Sequence, residues 1–393
     1  MTAAASTKNI LGTRYTTLTE AQVVGFNTFY DLANGHAYHD VPTELQPIIK
    51  DLPEIWNHAV SRSVPDMEEE FKLTSAEVFG SSALANHRFY SVCPTATNSI
   101  DIIATWLHMR RYNVGLLEPV FDNLYLVLRR RGVKIACVHE GDLIDLDALE
   151  TKIRTYDLKS LFIVTPNNPT GFQLDAEEFS ALCELCARMG VTLFVDKTFR
   201  LYSTQVFDTY KILNDSGLNY VVIEDTGKTW PSQDAKASLM VYSESLAEDL
   251  RMLYEEIFLC HSNFTLAFLN ALMERTLSVG IDKIVHQEVT RRVTRRMNHV
   301  ERALLETPLT LVRNNRSCSL PLAWIDCSAT GLTDLELVRK LGEFQVSLLA
   351  GRLFYWNSQD QHTGNVRLSL LKPDRVFYKA LDVISETVRN ISR

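Results

Sequence analysis

The sequence predicts an α/β protein in which a mostly parallel central sheet carries helices on both faces, joined to a smaller α/β domain in the C-terminal third. Three observations carry this reading. Short apolar runs alternate with amphipathic stretches through the middle of the chain, the rhythm of repeated βαβ units. The runs are continuously apolar, as strands buried on both faces require. After about residue 245 the pattern turns helical as far as Leu305, and a second α/β portion follows.

Taken in order, Asn113–Pro119 reads as a strand and Asp122–Arg131 as the helix after it. The same alternation pairs Val133–His139 with Leu146–Tyr156 and Ser160–Thr165 with Ala176–Met189, and Val191–Asp196 follows as a strand. Asn219–Glu224 and Ala237–Tyr242 add two more. The last portion offers strands at Leu320–Cys327 and Asn365–Leu370 and a closing helix at Arg375–Ile391. This divides the chain into an N-terminal segment (1–49) that covers a site and joins the small domain, a large domain (50–280) and a small domain (281–393).

Composition narrows the function class. The 393 residues hold 40 Lys+Arg against 48 Asp+Glu, a net charge of −8, with 46% hydrophobic content. That is a globular composition with room for two domains, and its acidic balance argues against a nucleic-acid partner. No run approaches the ~18–20 apolar residues of a membrane span. The opening MTAAASTKNILG lacks the basic and apolar regions of a secretory signal, so a cytoplasmic address is expected. Seven sparse cysteines suggest reduced thiols, with Cys183-x-x-Cys186 as core thiols on a helix. His36-x-x-His39 has no third ligand nearby in sequence, and no metal is expected. The basic run Arg291-Arg292-Val293-Thr294-Arg295-Arg296 reads as a solvated helix face.

In an open α/β sheet, ligands bind beyond the carboxyl ends of the strands. After Leu161–Val164 comes Thr165-Pro166-Asn167-Asn168-Pro169-Thr170-Gly171, an irregular loop offering two carboxamides. After Val191–Val195 comes Asp196, a carboxylate ending an apolar strand, where ionisation is costly without a cation beside it. After Asn219–Ile223 comes Glu224-Asp225-Thr226-Gly227-Lys228-Thr229-Trp230, which sets a lysine in a tight turn. Val366-Arg367-Leu368-Ser369-Leu370 puts an arginine in an apolar strand. A lysine for a Schiff base, a carboxylate opposite a ring nitrogen, a donor to a phenolic oxygen and backbone amides for a phosphate are what pyridoxal 5′-phosphate needs.

In this combination Asn168-Pro169-x-Gly171, Asp196, Lys228 and Arg367 resemble the fold-type I aminotransferase superfamily over nearly the whole chain. The resemblance implies a homodimer. It assigns Lys228 to the Schiff base and to proton transfer at Cα, Asp196 to the pyridine nitrogen and Asn168 to the phenolic oxygen. Thr95, Ala96 and Thr97, with Thr226 and Lys236, would cradle the phosphate, Phe121 would stack on the ring, and Arg367 would grip the substrate carboxylate. The usual Asp-x-Ala-Tyr is here Asp196-Lys197-Thr198-Phe199, which leaves the Thr198 hydroxyl in place of a phenol.

A finer resemblance is to the oxygen- and pyridoxal-phosphate-dependent arginine oxidases. It rests on Val120-Phe121-Asp122-Asn123, on Val222-Ile223-Glu224-Asp225-Thr226-Gly227-Lys228 followed by Trp230-Pro231, and on Ala33-Asn34-Gly35-His36-Ala37. It implies free L-arginine as substrate and molecular oxygen as co-substrate. Asp225 and Glu20 would bind the guanidinium, and His36 would be the second acid/base. Asp225 also suits a simple turn cap. Two charged partners at about 1.5–3 kcal/mol each favour arginine over a neutral analogue by roughly two to four orders of magnitude. Members of this branch can carry Asp where Asn34 stands. An amide cannot accept a proton at neutral pH. The resemblance therefore points to oxidation, through quinonoid intermediates, to an unsaturated 2-oxo or 2-imino acid of the 4,5- or 3,4-didehydroarginine type with release of hydrogen peroxide. The alternatives are the hydroxylated product, 4-hydroxy-2-oxoarginine, or ordinary transamination.

Overall fold

The computed structural model describes residues 16–313, 318 and 320–391. Its strands, in sequence order, are β1 (Tyr30–Asp31), β2 (Tyr90–Cys93), β3 (Asn113–Glu118), β4 (Ile135–His139), β5 (Leu158–Val164), β6 (Thr192–Asp196) and β7 (Tyr220–Asp225). They continue with β8 (Ser238–Tyr242), β9 (Thr310–Leu311), β10 (Leu322–Asp326), β11 (Val346–Ser347), β12 (Leu349–Ala350) and β13 (Asn365–Ser369). Seven of them form the central sheet in the order β2-β8-β7-β6-β5-β3-β4, in which β8 alone runs opposite to the other six. The α/β class read from the sequence is the observed one.

The two-residue period of a strand explains how this sheet is covered. Along β5 and β6, Leu161, Ile163, Leu193 and Val195 enter one core, against Met67 and Phe71 of helix Val64–Phe79, Phe179 of helix Ala176–Met189 and Leu269 of helix Asn263–Val279. Phe162, Val164 and Phe194 enter the opposite core, against Ile103 of helix Ala96–Arg110 and Leu250 of helix Ala247–Ile257. Helix Ala176–Met189 shows why the boundaries fall where they do. Asp175 and Glu178 form a reciprocal capping box at its start, and Gly190, with φ +65°, ends it. Its Cys183 and Cys186 are both buried in the core, as the thiol reading expects.

A second sheet, β12-β13-β10-β9, is antiparallel and sets Arg367 of β13 opposite Trp324 of β10 and Leu349 of β12. Its core takes in Leu18, Ala21, Leu32, Ala33 and Ala37 from the N-terminal segment together with Phe377 and Leu381 of the closing helix Asp374–Ile391. β1 pairs in parallel with β11, and Asp31 holds Lys372 at 3.0 Å. Residues 1–15 of that segment lie outside the described residues. Among the described residues no helix is long and apolar enough to cross a membrane.

One strand is missing from the sequence reading and one sequence expectation needs correction. β2 is not legible in the sequence, because four residues, Tyr-Ser-Val-Cys, are too few to show a period. The basic run is not a uniformly solvated face. Arg291 and Arg295 are exposed, whereas Arg296 is only 1% exposed. Spacings of three and four place Arg296 on the stripe of Val293 and Val300, so helix Arg291–Leu304 turns it into the small-domain core. There it donates to the carbonyls of Leu370 and Lys372, pairs with Asp374, and lies 4.8 Å over the Phe377 ring.

Candidate active site

The carboxyl ends of β3, β5, β6 and β7 and the start of helix Ala96–Arg110 converge on a cavity of about 380 Å³. Lys228, Asp196, Asn168, Thr198, Phe121, Asp225, Lys236, Arg367, His36, Thr95, Ala96 and Thr97 all line it. A larger depression of about 670 Å³ lies between helix Leu18–Gly25 and helix Asp334–Gly342 and contains none of these side chains.

Alternation along β7 sorts its two terminal carboxylates. Glu224 turns away and is buried with Arg200 and the Tyr210 hydroxyl, at 2.5 and 2.8 Å. Asp225 faces the cavity, where its Oδ1 accepts the Gly227 N–H at 2.7 Å. Asp225 is thus both turn cap and cavity wall. The turn it stabilises presents Lys228, whose amine is brought down to about 8. Burial is the main cause, Lys236 and Arg367 add to it, and Asp225 and Asp196 oppose it.

Asp196 is buried at the end of β6, and its Oδ1 accepts the Thr198 N–H at 2.8 Å. Burial pushes its carboxyl up to about 6, and Asp225 and Glu224 add to the effect. Among the described residues no cationic side chain forms an ion pair with it. A protonated ring nitrogen supplies the partner that such a carboxylate lacks. Across the cavity Arg367 is buried. One guanidinium nitrogen donates to the Ala33 carbonyl, and Nη1 lies 3.4 Å from Asn168 Oδ1. Its Nε has no partner among the described residues. The Asn168 oxygen faces Arg367, so its NH₂ end is the one free to donate.

Thr95 caps helix Ala96–Arg110, accepting the Asn98 N–H, and leaves the first-turn amides beside Thr97. Unpaired N–H groups and the helix dipole make this end an anion site. Thr97 also accepts from Asn123 at 2.8 Å. Lys236 brings a cation into the same cavity. Phe121 lines the wall with its ring edge-on to Phe354. These residues fit the phosphate, ring and ring nitrogen of pyridoxal phosphate.

Three expected residues sit outside the cavity wall. The Thr226 hydroxyl is engaged with the Ala237 backbone at 3.1–3.2 Å. Glu20 is exposed and accepts from the Thr16 N–H at 2.7 Å and the Thr16 hydroxyl at 3.1 Å, whereas Thr19 and Gln22 of the same helix reach the wall. Asn34 is buried and accepts the His36 N–H at 2.8 Å, so it shapes the backbone carrying His36.

Sequence reasoning misses four residues that hold this site together. Asp122 accepts the Leu18 N–H at 2.7 Å and so anchors the N-terminal helix. Tyr202 bonds the Lys228 carbonyl. Asp234 and Tyr38 surround His36. Asp122 stands in Val120–Asn123 and Tyr38 inside His36-x-x-His39, both singled out in the sequence, whereas Tyr202 and Asp234 stand in no such motif. His39 packs with Nε2 3.2 Å from the Thr229 carbonyl. Outside the cavity, Glu118, Cys137 and His139 place possible ligand atoms within 4.8 Å of one another. Glu118 already accepts from Asn357 and Ser358.

A solved structure of MppP soaked with the product 2-ketoarginine is 27% identical and superposes with a TM-score of 0.82, covering 92% of this protein and 99% of that one. A pyridoxal-phosphate-bound protein from Clostridium difficile 630 is 17% identical with a TM-score of 0.74, covering 92% and 93%, a likeness of fold alone. An aromatic aminotransferase of Arabidopsis thaliana is 24% identical over 251 residues, and the match spans 58% of this protein and 59% of that relative's length. The family model for aminotransferase class I and II matches residues 31–384. The protein belongs to the class I and II aminotransferase family, a family of pyridoxal-phosphate-dependent enzymes.

Proposed function

We propose that this protein is an L-arginine oxidase that uses pyridoxal 5′-phosphate and molecular oxygen. The observation that carries the reading is the layout of one cavity, with Arg367 suited to a carboxylate and Asp225 and His36 also on its wall. The likeness to MppP, whose solved structure was soaked with 2-ketoarginine, supports the same substrate.

When bound through Lys228, the cofactor supplies an electron sink for negative charge at the substrate Cα. Arg367 binds the α-carboxylate through its planar fork. Asp225, with one oxygen held by Gly227, offers the other to the guanidinium. The Lys228 amine takes the Cα proton, and His36 takes the next from the side chain. Each two-electron removal reduces one O₂ to hydrogen peroxide. Asn34, an amide beside His36, favours the unsaturated 2-oxo or 2-imino acid over 4-hydroxy-2-oxoarginine.

The homodimer, the cytoplasmic address and the domain division at 1–49, 50–280 and 281–393 belong to the same proposal. The two large hydrophobic cores of the central sheet and the separate core around β10 and β13 support that division. Ordinary transamination is the second reading, favoured by the Arabidopsis relative.

Mass spectrometry of products from purified holoenzyme and arginine, with and without oxygen, tests the proposal. The expected result is continuous oxygen consumption with an unsaturated 2-oxo acid and peroxide. A single half-turnover that stalls until a 2-oxo acid is added overturns it in favour of transamination. A dominant hydroxylated product overturns the unsaturated outcome.

A further inference from the structure

His36 and Asp234 are brought together from distant parts of the sequence, with Nδ1 of His36 2.7 Å from Asp234 Oδ1. The Tyr38 hydroxyl donates to the other oxygen, Asp234 Oδ2, at 2.5 Å. On the far side of the imidazole, Nε2 lies 3.5 Å from Lys236 Nζ. A lysine ammonium only donates, so Nε2 is the acceptor and Nδ1 carries the proton given to Asp234.

The loop bearing Asp234 is built unusually to make this contact. Gln233 has φ +52° and Asp234 φ +69°, two successive non-glycine residues in the left-handed region. That conformation is costly for side chains with a Cβ and least so for Asp and Asn. It turns the backbone after Pro231 so that Asp234 reaches His36 while Lys236 reaches the cavity. Such outliers persist where the surroundings hold them, and they cluster at functional sites.

Resting on the arginine reading, we propose that Asp234 is the positioning residue of His36, holding the imidazole with Nδ1 protonated and Nε2 bare toward the arginine methylenes, with Tyr38 as its anchor. In the step this serves, a C–H bond of one such methylene breaks and an N–H bond forms at Nε2. The electron pair stays on the substrate and passes to O₂, which takes up two protons, the one from Nε2 and the one that the Lys228 amine took from Cα, and leaves as hydrogen peroxide. Asp234 balances the charge that appears on the ring. Lys236, once engaged by the cofactor phosphate, leaves Nε2 free.

The charged groups facing His36 fix the direction of its pH dependence. They are Asp234, Lys228 and Lys236, with Arg367 beside Gly35 and Lys372 over the Tyr38 ring. Burial, Lys228 and Lys236 disfavour the imidazolium and Asp234 favours it. Removing the Asp234 charge therefore moves the acid limb of activity to lower pH.

The test uses holoenzyme with ¹⁵N-labelled histidine, wild type and Asp234→Asn, a change the left-handed backbone tolerates. Nitrogen shifts should show the Nδ1–H tautomer at His36 in the wild type, and a mixed or Nε2–H form in Asp234→Asn, with cofactor absorbance intact. On arginine, Asp234→Asn should lower kcat at least 20-fold, with KM within threefold and the acid limb shifted to lower pH. Tyr38→Phe should show a smaller loss in the same direction. An Nε2–H tautomer in the wild type, or a tautomer unmoved by Asp234→Asn, overturns the positioning role whatever the substrate. A correct and Asp234-dependent tautomer without arginine turnover supports the positioning role and overturns only the arginine reading.

Discussion

The Tyr202 hydroxyl donates to the backbone carbonyl of Lys228 at 2.7 Å, across the turn that presents the lysine amine. Tyr202 ends a short 3₁₀ turn, Arg200–Tyr202, just after β6, so the strand that ends in Asp196 also helps to fix the peptide of Lys228. The carboxylate and the amine are thereby held in one frame.

Cofactor capture by Lys228 should follow its lowered basicity. With the amine at about 8, roughly a quarter of it is free at pH 7.5, against about one part in a thousand for an ordinary lysine. Only the free amine attacks an aldehyde, so reconstitution of cofactor-free protein should speed up as pH rises through 8 and level off above 9. Stopped-flow absorbance reads this directly, and a rate still rising tenfold per pH unit beyond about 9.5 would contradict it. Lys228→Ala should cost at least about 10³-fold in kcat.

Arg367→Lys should lower kcat/KM for arginine by about 10²–10³-fold, or ~3–4 kcal/mol, because a lysine cannot make the two-pronged contact with a carboxylate. The loss should fall mainly on KM. Steady-state kinetics check it, with circular dichroism to confirm that the buried site remains folded.

Asp225 and Glu20 should differ in weight. Asp225 lines the cavity, whereas Glu20 is turned to Thr16. Asp225→Asn is expected to reduce the preference for arginine over citrulline about 10²-fold, the worth of one charged hydrogen bond in a site of this kind. Glu20→Gln should change it by less than about fivefold, on the same scale. Competition assays with both substrates measure the two ratios, and equal effects would show that the N-terminal helix moves when substrate binds.

Arg296→Ala should destabilise the protein by about 2–4 kcal/mol, since it strands the Leu370 and Lys372 carbonyls and the Asp374 partner. Arg295→Ala, on the exposed side of the same helix, should stay within about 0.5 kcal/mol. Urea denaturation of both variants decides whether the basic run is one solvated face or two environments.

The sequence by itself determined six of the seven strands of the central sheet and the strand ends beside which Asp196 and Lys228 stand. Val191–Asp196 is apolar until its last residue, and the Asp225-Thr226-Gly227-Lys228 turn stands directly at a strand terminus, so local pattern and position suffice to place Asp196 and Lys228. Arg367 was legible because a guanidinium inside an apolar strand stands out. Only the tertiary structure decided which neighbours reach the cavity. Glu224 and Asp225 are adjacent in sequence yet face opposite ways, Thr226 spends its hydroxyl on Ala237, and Arg296 turns inward. It alone could join Tyr38 to Asp234 across 196 residues. That contact depends on a left-handed turn, which leaves no periodic trace in the sequence. Periodicity is a property of sequence neighbours, whereas the partner of a buried polar atom is set by where the packed elements bring distant loops together.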